Sequence, residues 1–63
     1  MSADLTPYEL RVLRSHRQHP RRESELSDRQ AAQKRLSKLG YIRLTEGVYR
    51  ITPAGMQVLE NAG

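Results

Sequence analysis

The chain contains no cysteine, phenylalanine or tryptophan, and three tyrosines are its entire aromatic complement. The absence of cysteine excludes a disulfide scaffold and a thiolate zinc site. The absence of Phe and Trp leaves a core to be built from Leu, Ile, Val and Ala. No apolar run approaches the ~20 residues of a membrane-spanning helix, and no signal-peptide pattern opens the sequence, so a cytoplasmic protein is the expectation. There are no repeats, low-complexity tracts or linker-like segments, so the 63 residues are expected to form one domain, residues 1–63. A chain this short buries only ~60% of its unfolded surface.

Acidic residues are missing where basic ones gather. No Asp or Glu occurs from Arg29 to Thr45. All 11 Lys and Arg residues lie between Arg11 and Arg50, where only Glu23, Glu25, Asp28 and Glu46 oppose them, a local excess of +7 against a formal +4 for the whole chain. Such a surface attracts polyanions through counterion release, with nucleic acid the commonest partner. Catalytic groupings are also missing. His16 and His19 have a metal-like spacing but no third ligand beside them, the carboxylates are scattered among arginines, and no glycine-rich phosphate loop is present. The chain is therefore not expected to be an enzyme or to need a metal or cofactor, and no small-molecule ligand is evident.

Three helices and a hairpin can be placed from local signals. Thr6 is an N-cap followed by Pro7 at the first helical position and Glu9 three residues on, with Leu5 and Leu10 spaced as a hydrophobic staple. Leu10, Val12 and Leu13 are the inward candidates, and Pro20 stops this helix near Gln18. His19–Glu23 reads as a loop, and Ser24–Leu26 offers at most one turn, from which Leu26 is expected to plug the core. Ser27 with Gln30 reads as the capping box of a second helix, running to Leu39 with Ala32, Leu36 and Leu39 on its apolar face and Gly40 beyond its end. Period-two alternation then marks two strands, Tyr41–Leu44 and Val48–Ile51. A two-residue turn at Glu46-Gly47 would pair Leu44 with Tyr49 and Ile42 with Ile51 on one face, and Arg43 with Arg50 on the other. Like charges directly opposite are unfavourable on a solvated sheet, so the arginine pair points to an anionic partner or to splayed side chains. Thr52-Pro53 repeats the cap signature, with Ile51 and Met56 as its staple, and the last helix runs to about Glu60. Gly55 in its first turn implies close packing against another backbone.

Leu36-Ser37-Lys38-Leu39-Gly40-Tyr41-Ile42, the short hairpin, and Ile51-Thr52-Pro53-Ala54-Gly55-Met56-Gln57-Val58-Leu59 together resemble the latter half of a winged helix-turn-helix domain of bacterial and phage transcription regulators. The resemblance implies an α+β, mainly α fold: helix, short turn, recognition helix, two-stranded hairpin wing and C-terminal helix. The sequence departs from the family in leaving only Pro20–Leu26 where a full second helix normally stands. The turn at Ser24–Leu26 could be a vestige of that helix, or this could be a shortened variant in which the first and last helices hold residues 27–39 in place.

The resemblance implies that helix 27–39 enters a DNA major groove, as in a small sequence-specific transcriptional regulator. Arg29, Gln30 and Gln33 would lie nearest the base edges, since Arg can bond guanine and Gln adenine through paired hydrogen bonds. Lys34, Ser37 and Lys38 are then placed for phosphates, and Arg43 and Arg50 for flanking backbone or minor groove, with Arg21 and Arg22 adding non-specific attraction. Arg29 is also spaced to pair with Glu25, and Tyr41 and Tyr49 are expected to cover the core. A homodimer would suit a palindromic site, and Met56, Val58 and Leu59 offer a seam. The reading from a different class is a protein-interaction module, an inhibitor or assembly factor docking its basic face on an acidic partner.

Overall fold

The computed structural model describes residues 5–62. Helix α1 spans Pro7–Gln18, and its start has the expected form. Thr6 Oγ1 accepts the Glu9 amide at 3.1 Å, and Glu9 Oε1 accepts the Thr6 amide at 2.9 Å. Val12 and Leu13 are buried, and Leu5 and Leu10 pack against them from the rim. His16, one turn beyond Val12, is also fully buried.

The segment after α1 differs from the expected loop. Arg21–Arg22 form a short strand, β1, antiparallel to Val48–Ile51, which is β3; β2, Ile42–Thr45, pairs with the other edge of β3. The hairpin is therefore part of a three-stranded sheet of order β1-β3-β2. Its register is Ile42 with Ile51, Arg43 with Arg50, Leu44 with Tyr49 and Thr45 with Val48, as the alternation predicts. Glu46 and Gly47 both have positive φ, 54° and 79°, which makes the two-residue turn one whose twist suits the flanking strands.

Helix α2 spans Ser27–Lys38, and here three expectations are corrected. Ser27 is its first helical residue; Leu26 takes the cap position with no side-chain cap bond, and its own amide is held by Ser24 Oγ at 3.0 Å. Leu26 does not plug the core. It is 70% exposed, because its extended backbone at the cap turns the side chain outward. Leu39, at the C-cap, is also exposed, leaving Ala32 and Leu36 as the apolar residues that α2 buries. The helix closes with the Gly40 amide on the Ser37 carbonyl and the Tyr41 amide on that of Leu36, the double bond of a left-handed C′ residue, and Gly40 has φ +86°.

Helix α3 spans Pro53–Ala62, two residues beyond the expected end. Thr52 accepts the Gly55 amide on Oγ1 and donates that hydroxyl to the Gly40 carbonyl at 2.6 Å, tying the start of α3 to the end of α2. Gly55 packs against the chain as anticipated: a Cβ there would lie 2.9 Å from Ile51 Cγ1 and collide with the Tyr41 carbonyl. Met56 is exposed rather than stapled inward, whereas Leu59 is buried and Val58 half-buried. The core is Val12, Leu13, Ala32, Leu36, Ile42, Tyr49 and Leu59, drawn from all three helices and both long strands. Helix α1 is central and packs on α2, β3 and α3, while α2 rests chiefly on α1 and β2. The fold is α+β and mainly α, with the helix, hairpin, helix order expected of the latter half of the chain.

Candidate functional site

The orientation of α2 decides which of its side chains can meet a partner. With Leu36 pointing inward, 100° per residue puts Arg29 about 20° and Gln33 about 60° from it, on the packed side. Ser27, Ala31, Lys34 and Lys38 fall within about 40° of the opposite direction, and all four are exposed. Gln30 and Ser37 lie on one flank, half-buried.

Gln33 is the clearest correction. Its side chain is fully buried and cannot read base edges in this arrangement. Instead it holds the connection into α2: Gln33 Oε1 accepts the Ser24 amide at 2.7 Å, and Nε2 donates to the Arg22 carbonyl at 3.1 Å and to His16 Nε2 at 3.1 Å. The histidine completes the chain of bonds. Its Nδ1 faces the Val12 carbonyl at 2.7 Å, which can only accept, so Nδ1 carries the proton and Nε2 is free to accept from Gln33. Burial holds the His16 pKa below its ordinary 6.5, and Arg29 and Arg21 add to that against the opposing pull of the Val12 carbonyl. A Tyr49 ring at 6.2 Å, edge-on, closes the other side. Polar residues from α1, β1 and α2 are thus satisfied by one another inside a core that sequence periodicity describes as apolar.

Arg29 is half-buried and donates through Nη2 to Ser15 Oγ at 2.8 Å, bonding across to α1 rather than to Glu25. Gln30 donates through Nε2 to Glu23 at 2.7 Å. Of the residues expected to contact bases, Arg29 and Gln33 thus lie on the packed side of α2 and Gln30 on its flank, and all three are engaged within the domain. Lys34 and Lys38 are presented, as are Arg43 and Arg50 on the sheet. Tyr49 is buried and Tyr41 half-buried, in the covering roles expected of them.

A second feature flanks the α2 face. Arg35 Nη1 bonds Glu9 Oε1 at 2.6 Å, so the carboxylate that caps α1 also anchors α2. This bond is the main reason the Glu9 pKa lies below the ordinary carboxylate value, outweighing its burial. Thr6, Tyr8, Glu9, Asp28, Ala31, Ala32 and Arg35 line an open groove of about 380 Å³ beside it. Among the described residues no three His, Asp or Glu side chains are grouped to hold a metal ion, and no helix is long and apolar enough to cross a membrane.

No protein-family profile, characterised protein or solved structure matches this chain.

Proposed function

We infer that the protein binds duplex DNA, laying the exposed side of α2 in the major groove and the sheet arginines on the flanking backbone. The observation that supports this most is the distribution of charge on exposed residues. Lys34 and Lys38 occupy the outer side of α2, Arg43 and Arg50 stand on exposed positions of the hairpin, and no carboxylate occurs between Arg29 and Thr45. Membership of the winged helix-turn-helix class, and a role as a transcriptional regulator, belong to the same reading. They rest on the order recognition helix, hairpin, closing helix and on the Leu-Gly-Tyr-Ile junction at residues 39–42. The short outer residues Ser27 and Ala31 allow close approach of the helix, with Ala31 suited to apolar contact with a thymine methyl and Ser27 to hydrogen bonding with either kind of base edge. Lys34 and Lys38 reach phosphates.

An NMR titration of the labelled protein with a short random-sequence duplex, at low and moderate salt, tests the proposal. The expected result is a set of shifts at residues 27–38, 43 and 50 that fade as salt rises, since affinity that depends on phosphate contacts falls steeply with ionic strength. Unchanged spectra at low salt would overturn it. One observation favours a second reading, docking on an acidic protein: Leu26 is largely exposed at the start of α2, where an apolar side chain would suit a packed interface. Binding of that kind would resist salt and leave Leu26 protected.

A further inference from the structure

Strand β1 brings a third arginine onto the outer face of the sheet. Residues directly opposite each other on paired strands share a face, as do alternate residues along one strand. Arg22 is opposite Val48, Val48 and Arg50 are alternate residues of β3, and Arg50 is opposite Arg43. Arg22, Arg50 and Arg43 therefore stand on one face, one from each strand, together with Val48 and Thr45. All three arginines are exposed, and this is the face turned away from Ile42, Tyr49 and the core. Arg21 lies on the other side of the sheet, opposite Tyr49, where its charge reaches His16. The nearest acids in sequence, Glu23 and Glu46, follow Arg22 in the chain and occupy the hairpin turn, and Glu23 accepts a bond from Gln30. Among the described residues the ion pair formed is Glu9–Arg35, which joins α1 to α2.

Three guanidiniums on neighbouring strands repel one another. A directly opposed like-charged pair destabilises a sheet, and a three-stranded cluster compounds the cost unless an anion neutralises it. Diagonal neighbours on a sheet lie about 7–8 Å apart. Arginine forks suit phosphate oxygens through paired hydrogen bonds.

We propose that Arg22, Arg43 and Arg50 form a single phosphate-binding patch across the three strands, which grips the backbone of a nucleic acid, and that Arg22 is an essential member of it. This rests on the DNA-binding reading and extends it: the gripping surface is the whole sheet face, and the segment before α2 contributes directly to it.

The test measures binding to a fluorescent random-sequence duplex over a series of salt concentrations for the unaltered chain, R22Q, R21Q and R43Q, with thermal unfolding of each. Each phosphate contact contributes about 0.9 to the slope of log affinity against log salt. The expected result is a slope shallower by about one contact for R22Q and for R43Q, and unchanged for R21Q. R43Q should also unfold a few degrees higher, because it relieves the repulsion that the patch sustains. Equal slopes for R22Q and the unaltered chain would overturn the patch while leaving DNA binding intact. Equal losses in R22Q and R21Q would reduce it to an effect of net charge and overturn it too. If the unaltered chain bound no duplex at low salt, the DNA reading itself would fall, and the patch with it.

Discussion

At the residue scale, backbone geometry separates the signals that were legible from those that were not. Thr6 and Thr52 were readable as caps because a following proline fixes the helix start in register, and both hydroxyls do accept the amide three residues on. Ser27 lacks such a marker, and the backbone enters the helix one residue earlier, at Leu26. Gly55 was readable because glycine is costly in a helix and so needs a steric reason; the Tyr41 carbonyl supplies it. Gly55→Ala should therefore destabilise by about 1–3 kcal/mol in urea unfolding, overpacking outweighing alanine's better helix propensity. A stabilised variant would show that α3 moves away without cost. Glu46 presents the opposite case. It holds φ +54° without the side chain that tolerates it, so Glu46→Asn, which suits this turn, should stabilise by about 0.5–1 kcal/mol. In a domain this small that is roughly a 2–8 °C rise in Tm by circular dichroism, and no rise would argue against a strained turn.

At the element scale, the hairpin register followed from period-two alternation over four residues on each side, with one buried face to fix it. Strand β1 was not legible, since two arginines carry no alternation and the pairing partner is more than 25 residues away in the chain. The rotation of α2 was misread for a related reason. Counting Leu39 as helical skewed the apolar stripe away from Gln33, whereas Leu39 caps the helix and points to solvent. Periodicity alone also cannot tell a buried glutamine from a surface one; the missing information was the set of partners, Ser24, Arg22 and His16, brought in by the fold. Those partners give Gln33 a structural task. Gln33→Leu keeps the volume but leaves the Ser24 amide, the Arg22 carbonyl and His16 Nε2 unpaired, at an expected cost of about 2–3 kcal/mol in urea unfolding. Faster hydrogen exchange at the Ser24 amide should accompany it. Lys34→Gln on the exposed side should stay within about 0.5 kcal/mol. Similar costs for the two would mean that the buried network contributes nothing to holding α2.

At the scale of the whole molecule, three groups set the pH range of stability, His16 and Glu9 on the acid side and Tyr49 on the alkaline side. His16 is held below its ordinary 6.5 chiefly by burial, and Glu9 below its ordinary 4.5 chiefly by its bond with Arg35. In both, the unfolded chain takes up a proton that the folded chain refuses, so stability is fully present above the ordinary value and drains away as pH falls through the folded one. The first loss begins below 6.5, when imidazolium formation would turn His16 Nε2 from acceptor to donor and set it against the Gln33 amide. The second begins below 4.5, as protonation of Glu9 weakens both the Thr6 cap and the anchor of α2 on α1. Tyr49 acts in the opposite sense: burial, reinforced by Glu23, raises its pKa above 10.0, so the folded chain keeps a proton the unfolded one releases and stability declines as pH rises beyond that value. The expected profile of urea midpoint against pH is a plateau bounded by 6.5 and 10, with a two-stage fall on the acid side. Mutual repulsion of the basic side chains would also weaken the fold in acid, but salt screens exposed charges and leaves a buried imidazole untouched. The fall that begins below pH 6.5 should therefore persist in high salt, and protonation of the His16 ring in the folded chain, followed by NMR, should come at lower pH than that onset; a fall that salt abolishes would assign it to surface charge instead.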